Sequence, residues 1–425
     1  MDLNKYMKSH TMHYPLEPRE AFYGGRTEAF TMYKEAAKDE SINYYDVTSL
    51  YPFINKTGKI PLGHPLIITE NFKNIDAYEG LVKCKINPPR NLYLPVLPSR
   101  IKGKLMFGLC RTCMEDGVTE NCCHNVDSRA LTGTWVSDEI KKAVEKGYEI
   151  EEIYEVWHFE NVSQYDPLLR QGGVFTEYVN TFLKIKQEAS GWPDCFWGKF
   201  GQRLNLPRTT YLTDPSIYFD ILTSDSQEVQ DVSFVTDDMV RINWINQSQF
   251  IEETGRTNVV IAAYTTTQAR LQLYKYLENL GDRALYCDTD SIIFSSKPGD
   301  WRPITGDYLG DLTDETPNNN IDVFVSGGPK NYGYKLKNPD RDGNRTCCKI
   351  RGITLNYKNA LELNFDTMKD VVQGKTDKIT VTDDNKICRE VKTTNIITRA
   401  EDKTYKIVFD KRVLKKDYTT TPYGM

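Results

Sequence analysis

The sequence predicts a mixed α+β fold built around a central antiparallel sheet. Residues 286–294 (YCDTDSIIF) form two short apolar runs around an Asp-Thr-Asp turn, a pattern typical of a β-hairpin. The helical patterns elsewhere do not alternate regularly with strands, as they would around a parallel sheet. At 425 residues, of which 39% are hydrophobic, the chain is long enough for about two or three domains with substantial cores.

The first predicted strand is residues 41–45 (SINYY), which place Asp46 at its C-terminal end. Leu50-Tyr51-Pro52 then predicts an end to that strand, followed by a turn-rich segment with glycine and proline at 58–65. Further elements follow from helical spacing and end signals: helices at 138–146, 177–189, 263–280 and near 360–372, and a strand at 405–409.

The composition excludes several classes of protein. With 54 basic and 59 acidic residues the net charge is −5, which excludes binding nucleic acid by bulk charge but leaves room for a local basic groove. No apolar run approaches the roughly 18–20 residues of a membrane span. Residues 1–10 are polar, without the apolar core of a signal peptide, so we expect an intracellular protein of the nucleus or cytoplasm.

Three aspartates stand where chemistry could use them. Asp46 ends a predicted strand, and Asp288 and Asp290 flank the hairpin tip; if these strands are neighbours, the carboxylates converge at one edge of the sheet. Like charges held so close are tolerated when a divalent cation neutralises them, and a pair of Mg²⁺ ions serves phosphoryl transfer. The alternative is that these aspartates are ordinary turn and strand-end residues.

The residues around these aspartates resemble a known family. Asp46-Val47-Thr48-Ser49-Leu50-Tyr51-Pro52 matches the D-x-x-S-L-Y-P motif A of family B DNA polymerases, and residues 286–291 (YCDTDS) match their Y-x-D-T-D-S motif C. Residues 196–200 (FWGKF) resemble the end of motif B. Residues 22–25 (FYGG), 266–270 (TTQAR) and 330–332 (KNY) resemble the Y-x-G-G, T-x-x-G/A-R and K-x-Y elements of protein-primed members. The chain resembles the C-terminal, polymerase half of such an enzyme, of the Maverick/Polinton type and its viral and organellar relatives.

The resemblance implies a role for each matching residue. Asp46, Asp290 and Asp288 would be catalytic, with Mg²⁺ held by Asp46, Asp290 and the Val47 carbonyl. Tyr51 would exclude the 2′-hydroxyl of a ribonucleotide. The other residues implied to bind the nucleotide are Lys184, Lys186, Trp197 and Gly198. Those implied to bind DNA are Tyr23, Gly24, Gly25, Thr266, Arg270, Lys330 and Tyr332; for the glycines a plain turn is the alternative, and for a lone Lys or Arg a solvated charge.

Motif B departs from the family pattern. Counting back from Gly198, Asp194 and Cys195 replace the usual Asn-Ser, and Ser190 falls where a lysine normally clamps the triphosphate. The pattern therefore indicates that a block of the fingers is missing between about Pro193 and Phe196, with Lys184 and Lys186 as the nearby lysines. Only 21 residues precede Phe22, so we expect neither an exonuclease nor a priming domain in this chain.

Between motifs A and B lies a cysteine cluster. Its spacing is Cys110-x₂-Cys113-x₈-Cys122-Cys123-His124, which is usable for tetrahedral zinc, with Cys122 or Cys123 as the fourth ligand. The alternative is a set of reduced, metal-free thiols. Ten cysteines in the whole chain are too few for a disulfide scaffold.

The expected architecture is a right-hand polymerase fold. It divides into a lead-in (1–29), a first palm segment (30–56), an insertion (57–157), shortened fingers (158–202), a second insertion (203–257), a second palm segment (258–354) and a thumb-like region (355–425). The expected function is template-directed transfer of deoxynucleotides to a primer 3′-hydroxyl with Mg²⁺, by a monomer acting on primer-template DNA and dNTPs, with a terminal priming protein as a further candidate partner. The alternatives are an inactive remnant that still binds DNA and, ranked last, a two-metal nuclease.

Overall fold

The computed structural model describes residues 14–188, 199–251, 257–390 and 395–425. The chain forms two compact units. The first comprises 1–197, 259–379 and 405–425, and the second comprises 198–258 and 380–404. No helix in the described ranges is long and apolar enough to span a membrane.

A nine-stranded, wholly antiparallel sheet forms the centre of the first unit. Its strands are β1 (Thr27–Ala29), β2 (Tyr33–Glu35), β3 (Ser41–Val47), β15 (Ala284–Asp288), β16 (Ser291–Ser296), β17 (Leu312–Asp314), β18 (Ile321–Gly328), β19 (Asn331–Leu336) and β20 (Thr346–Ile350). They lie in the order β1-β15-β16-β3-β18-β19-β20, with β17 also paired to β3 and β2 to β18. The predicted strand and hairpin are therefore neighbours in one sheet.

Smaller sheets complete this unit. They are built from β4 (Ile60–Leu62), β5 (Leu66–Ile68), β6 (Gly80–Asn87), β7 (Ser99–Ile101), β8 (Lys104–Met106), β9 (Leu131–Val136), β10 (Glu149–His158), β11 (Asn161–Ser163), β23 (Val413–Leu414) and β24 (Thr420–Thr421). The largest is four-stranded, in the order β5-β10-β6-β9, while β4 pairs β11, β7 pairs β8 and β23 pairs β24.

The first unit also contains several helices, one of which is long. They are α1 (Leu50–Thr57), α2 (Arg111–Asp116), α3 (Val126–Arg129), α4 (Ser137–Glu145), α5 (Thr176–Glu188), α7 (Val259–Leu280), α8 (Tyr357–Glu362) and α9 (Phe365–Val372). Helix α7 contacts α1, α4 and β9, and its buried Leu273 and Leu277 share a core with Val47 and Cys287. This packing holds one end of the sheet, the end that carries Asp46, against the helices.

The second unit is a separate β-rich body. It contains β12 (Arg208–Leu212), α6 (Pro215–Leu222), β13 (Gln227–Thr236) and β14 (Met239–Asn246), with the hairpin β21 (Ile379–Arg389) and β22 (Ile396–Tyr405). Its core is formed by Leu212, Ile221, Ile242 and Trp244. The stretch predicted as a second insertion therefore folds around its own core.

One helix was not predicted, and two predicted elements differ in the structure. Between the predicted strand end and the turn-rich segment the chain forms helix α1, which accommodates Pro52 because it lies in the helix's first turn, where no intrahelical N–H is needed. The helix predicted near 360–372 is divided into α8 and α9. The strand predicted at 405–409 is wrong, since β22 ends at Tyr405 and residues 406–410 are irregular.

The region predicted as thumb-like is not one body. Helix α9 packs against β18 and β19 of the central sheet. Residues 380–404 belong to the second unit, and 405–425 return to the first. A thumb role for any stretch of 355–425 stays a prediction.

Candidate active site

The tip of the hairpin β15–β16 places two aspartates at one end of the central sheet, where its strands stop. Asp288 ends β15 and Ser291 begins β16, so the turn consists of Thr289, at a left-handed φ of 62°, and Asp290. The Asp290 amide donates to the Asp288 carbonyl over 2.6 Å. The short turn fixes the direction of both carboxylates.

Pairing between β16 and β3 brings Asp46 to the same end of the sheet. Ser291 lies opposite Asp46 in the register, and the Val47 amide donates to the Asp290 carbonyl over 2.8 Å. On its other side Asp46 faces Thr313 of β17. The sheet thus gathers aspartates from two distant regions of the sequence.

An open cleft of about 630 Å³ lies over this end of the sheet. It is lined by the three aspartates and by three cations, Lys330, Lys349 and Arg351, together with Tyr44, Thr289, Ser291, Tyr332 and Ile350. Anionic and cationic groups therefore face one solvent-filled space, an arrangement suited to a phosphate ligand bound beside metal ions.

The charges of Asp46 and Asp290 are unfavourable as they stand. Burial, with the nearby carboxylates of Asp290 and Glu315, raises the pKa of Asp46 to about 7, against a smaller opposing effect of Lys349. Burial and the Asp288 carboxylate likewise raise the pKa of Asp290 to about 6. No side chain in the described ranges forms an ion pair with either carboxylate. Two partly buried carboxylates in this state fit a divalent metal such as Mg²⁺.

Asp288 is in a different state from the other two aspartates. Its Oδ1 accepts from the Lys330 ammonium over 2.8 Å and from the Thr27 hydroxyl over 2.9 Å. Since its charge is already balanced, it suits the supporting role that the sequence predicted for it.

Comparison with known proteins identifies the family. The profile described as "DNA polymerase type B, organellar and viral" matches residues 4–281, well over half of the chain. The chain belongs to this family of type B DNA polymerases. The resemblance inferred from motifs A and C is thereby confirmed.

Individual relatives agree with that assignment. The chain is 26% identical over 275 residues to the DNA-directed DNA polymerase of Enterobacteria phage PRD1, covering 65% of this chain and 43% of the phage protein. It is 25% identical over 344 residues to a probable DNA polymerase of Neurospora intermedia, covering 74% of this chain and 30% of that protein. The chain thus spans less than half the length of these curated relatives.

The fold has a solved counterpart. Phi29 DNA polymerase in complex with primer-template DNA superposes with a TM-score of 0.61 and 15% identity, over 95% of this chain and 65% of that one. At this identity the likeness shows the fold alone, and it confirms the predicted α+β polymerase fold.

The Y-x-G-G segment of this polymerase-family chain lies directly against the turn of the motif C hairpin. A Cβ built on Gly25 would stand 2.7 Å from the side chain of Thr289, whereas one on Gly24 would meet nothing within 4 Å. The Thr289 amide also donates to the Arg26 carbonyl over 2.7 Å. The close approach that Gly25 permits is therefore to the motif C turn; a contact of Gly24 or Gly25 with DNA stays a prediction.

Arg270 does not fit its predicted role as a phosphate ligand. It is 3% exposed, and its guanidinium forms a bidentate ion pair with Glu139 at 2.8 Å. The remaining N–H groups donate to the carbonyls of Tyr23 and Gly24 and to the Thr267 hydroxyl. With all five donors used inside the fold, Arg270 fastens the Y-x-G-G segment to α7 and α4.

Other predicted DNA ligands are also committed to the interior. Thr266 is fully buried and its hydroxyl donates to carbonyls of its own helix. Tyr23 is 4% exposed, with its ring beneath Arg100. Tyr332 is 5% exposed and its hydroxyl shares a hydrogen bond with that of Tyr44, but it still lines the cleft.

The predicted nucleotide ligands are unevenly placed. Tyr51 lies in the first turn of α1. Burial raises its pKa to about 12; Arg270 acts against this rise, and the carboxylates of Asp290 and Asp288 add to it. Lys184 is exposed on α5, and Lys186 belongs to the same helix. Trp197, Gly198 and the rest of the altered motif B from 189 to 198 lie outside the described residues.

Two cations of the cleft were not predictable from any motif. Lys349 stands opposite Tyr332 in the β19–β20 ladder, with its ammonium 5.8 Å from the ring centres of Tyr44 and Tyr332. The Arg351 amide continues that ladder by donating to the Lys330 carbonyl. No motif marks these residues, and only their alternation along β20 after the K-x-Y element could have indicated that they share a face.

A buried ionic network was missed as well. Glu28, fully buried on β1, pairs with Arg26 at 2.6 Å and lies 3.8 Å from Arg412, which is itself buried. Glu28 stands opposite Cys287 in the β1–β15 ladder, immediately beside Asp288. The network therefore supports the strand that carries the motif C aspartates.

The cysteine cluster assembles as a compact group. His124 Nδ1 lies 3.5 Å from Cys110 Sγ, 3.2 Å from Cys113 Sγ and 3.6 Å from Cys122 Sγ, and these four ligand atoms all lie within 4.8 Å of one another. Cys123 is exposed and outside the group, so the structure selects Cys122 of the two predicted alternatives. Burial opposes ionisation of Cys122, but hydrogen bonds from His124, Cys113 and Arg129 outweigh it and lower its pKa to about 6.

Proposed function

We propose that this chain catalyses template-directed DNA synthesis, joining deoxynucleotides to a primer 3′-hydroxyl. The observation that carries the proposal is the convergence of Asp46 and Asp290, both with raised pKa values and neither ion-paired within the described ranges, beside three cations in one open cleft. The solved Phi29 polymerase complexes with primer-template DNA and with incoming nucleotides support primer-template DNA and dNTPs as the ligands here. A terminal priming protein remains a candidate partner.

We assign two Mg²⁺ ions to Asp46 and Asp290, with the Val47 carbonyl as a further oxygen donor. Such ions activate the attacking 3′-oxygen and stabilise the leaving pyrophosphate oxygen. The chain itself supplies the rest: the β3–β16 register positions the two carboxylates, and Lys330 keeps Asp288 neutralised beside them.

Tyr51 is assigned the selection of deoxynucleotides. Tyr51 lies in the first turn of α1, shortly after β3, the strand that carries Asp46. Because the residue is more than half buried, its ring has little freedom to move aside. We expect Tyr51→Val to raise incorporation of ribonucleotides relative to deoxynucleotides by at least about tenfold, as measured by the ratio of their kcat/KM values. An unchanged ratio would contradict this role.

Primer extension tests the function. A labelled primer-template is incubated with Mg²⁺ and four dNTPs and with the parent chain, Asp290→Asn or Asp282→Asn. Asp282 makes a matched control because it is exposed and lies just before β15, at the opposite end of that strand from Asp288. We expect extension by the parent and Asp282→Asn, and loss of at least about a thousandfold in Asp290→Asn with DNA affinity unchanged.

The competing possibility is an inactive copy that retains the palm. Motif B lacks the usual clamp lysine in the sequence, so the cleft cations and Lys184 would have to hold the nucleotide in its place. DNA binding by the parent without extension, in Mg²⁺ and in Mn²⁺, would favour the inactive copy and refute the catalytic proposal.

We also propose that Cys110, Cys113, Cys122 and His124 bind one Zn²⁺ ion. In a tetrahedral site with Zn–S and Zn–N bonds of about 2.3 and 2.0 Å, sulfur and nitrogen ligands lie about 3.5 Å apart. The three sulfur–nitrogen distances of 3.2–3.6 Å agree with that spacing. Four protein ligands make this a closed, structural type of site.

A further inference from the structure

A buried arginine joins the cysteine cluster to the segment 420–425. Arg129 is 4% exposed, and its Nη1 donates both to Cys122 Sγ over 3.0 Å and to the Gly424 carbonyl over 2.9 Å. Three thiolates and an imidazole around Zn²⁺ carry one net negative charge, which this guanidinium would balance. The same cation thus contacts a metal ligand and the segment at once.

The segment also packs directly on the first cysteine. Gly424 has a φ of +86°, and a Cβ built on it would stand 2.4 Å from Cys110 Cβ and 2.7 Å from the Cys110 amide nitrogen. One residue earlier, the Tyr423 carbonyl accepts from the Leu109 amide over 2.7 Å. Tyr423 is 6% exposed and belongs to the same core as Cys110 and Cys113.

The other end of the segment is tied to the central sheet. The Thr420 amide donates to the Phe30 carbonyl over 2.9 Å, and its hydroxyl donates to the carbonyls of Ala29 and Phe30. Ala29 ends β1, the strand that pairs with the motif C strand β15. Residues 420–424 therefore bridge the cysteine cluster and the strand beside the catalytic aspartates.

We propose that zinc bound at Cys110, Cys113, Cys122 and His124 anchors the segment 420–425, so that metal binding holds this bridge in place. The ion fixes the loop that presents the Leu109 amide and the thiolate that orients Arg129, and both of these hold the segment. Loss of the metal frees the loop at 107–110, and the segment leaves its seat. The inference rests on the proposed zinc site and is independent of polymerase activity.

Hydrogen exchange of the full chain tests the anchor. Zinc content is measured on the purified protein, and amide exchange is followed for peptides covering 105–110 and 418–425, with zinc bound and after removal by a chelator. We expect one zinc per chain and at least about tenfold faster exchange of both peptides after removal, with re-addition of Zn²⁺ restoring protection. Absence of zinc, or unchanged exchange in 418–425 after its removal, would overturn the proposal.

Two glycine variants separate the anchor from the metal site. Gly424→Ala should keep the zinc but expose 418–425, because its Cβ has no space against Cys110. Gly103→Ala is the matched control, since Gly103 has a similar φ of +76° with nothing within 4 Å of a built Cβ. Equal exchange of 418–425 in the two variants would also refute the anchor. Primer extension is not a readout here, so failure of the catalytic proposal leaves this test intact.

Discussion

At the scale of single residues, Asp46 and Asp290 cost the fold stability when they are charged. The pKa of Asp46 is raised to about 7, above its value of roughly 3.9 in an unfolded chain. Because the pKa is raised in the folded state, the protonated carboxyl contributes fully to folding stability below about pH 4, near its pKa in the unfolded chain. That contribution to stability is lost as the pH rises from about 4 through about 7. Without a metal, the folded state is therefore weakened at neutral and alkaline pH.

Asp46→Asn should accordingly stabilise the metal-free protein at high pH. We expect its free energy of unfolding at pH 8 in EDTA to exceed that of the parent by about 1–2 kcal/mol, after allowance for solvent screening, and the two to converge near pH 4. Chemical unfolding at both pH values measures this. Adding Mg²⁺ should stabilise the parent and not the variant; a parent that is more stable than the variant in EDTA at pH 8 would contradict the assignment.

Lys349 should contribute to binding of the primer strand. It faces the cleft, and its ammonium lies over two tyrosine rings. We expect Lys349→Ala to weaken primer-template binding about threefold to tenfold, and to flatten the slope of log K against log salt by about 0.7–0.9, as for one lost phosphate contact. Fluorescence anisotropy in EDTA measures both without catalysis.

Lys38→Ala is the matched control for that experiment. Lys38 is exposed in the turn before β3, at the end of that strand remote from Asp46, and it does not line the cleft. An equal loss in the two variants would mean that Lys349 acts only through overall charge. A raised KM for dNTPs with unchanged DNA affinity would instead assign Lys349 to the triphosphate.

The placement of candidate site residues was predictable from the sequence only where a local motif carries them, and their roles stay predictions. Asp46, Asp288 and Asp290 lie within motifs A and C, and the structure brings them together at one end of the central sheet. Arg270 also lies within a motif, but its partner Glu139 is distant in sequence, and burial of that pair decides what the guanidinium can bind. A charged residue in a motif therefore does not reveal whether its charge faces a ligand or an internal partner.

At the scale of elements, the Y-x-G-G segment and the motif C hairpin should behave as one piece. Gly25→Ala would force its methyl group against Thr289, and we expect a loss of about 1–3 kcal/mol in stability together with a lower kcat. Gly24→Ala, one residue away and in open space, should leave the stability unchanged. Thermal unfolding and primer extension of the two variants compare these effects; equal behaviour would show that the contact does not constrain the turn.

Element types were predictable where the periodicity was strong and failed where tertiary structure decides. The long helix α7 and the hairpin β15–β16 carry clear patterns, and both form close to their predicted bounds. Helix α1 was missed because Tyr51-Pro52 resembles a break when helix starts are not considered. The cysteine spacing left Cys122 and Cys123 equivalent, and only the folded loop distinguishes them.

At the scale of the whole molecule, the two compact units should unfold separately. Ile242 is fully buried in the second unit and Ile293 in the central sheet of the first. Substituting either by alanine should cost about 2–5 kcal/mol, but in different unfolding transitions. Differential scanning calorimetry, combined with hydrogen exchange to assign each transition, measures this. A single transition lowered equally by both variants would show that the two units unfold as one.

The order in which the central sheet is made has a consequence during synthesis. Strand β3 lies in the middle of the sheet, yet its neighbours β16, β17 and β18 all come more than 240 residues later, as residues 41–47 and 291–328 show. While the ribosome makes the intervening stretch, the apolar strand that carries Asp46 has unpaired backbone on both sides, which invites pairing with other chains. Such distant pairing is also slow to form. The nascent polypeptide is therefore open to such pairing until residue 328 has emerged, and transcripts truncated before residue 291 should yield more aggregate than the full chain.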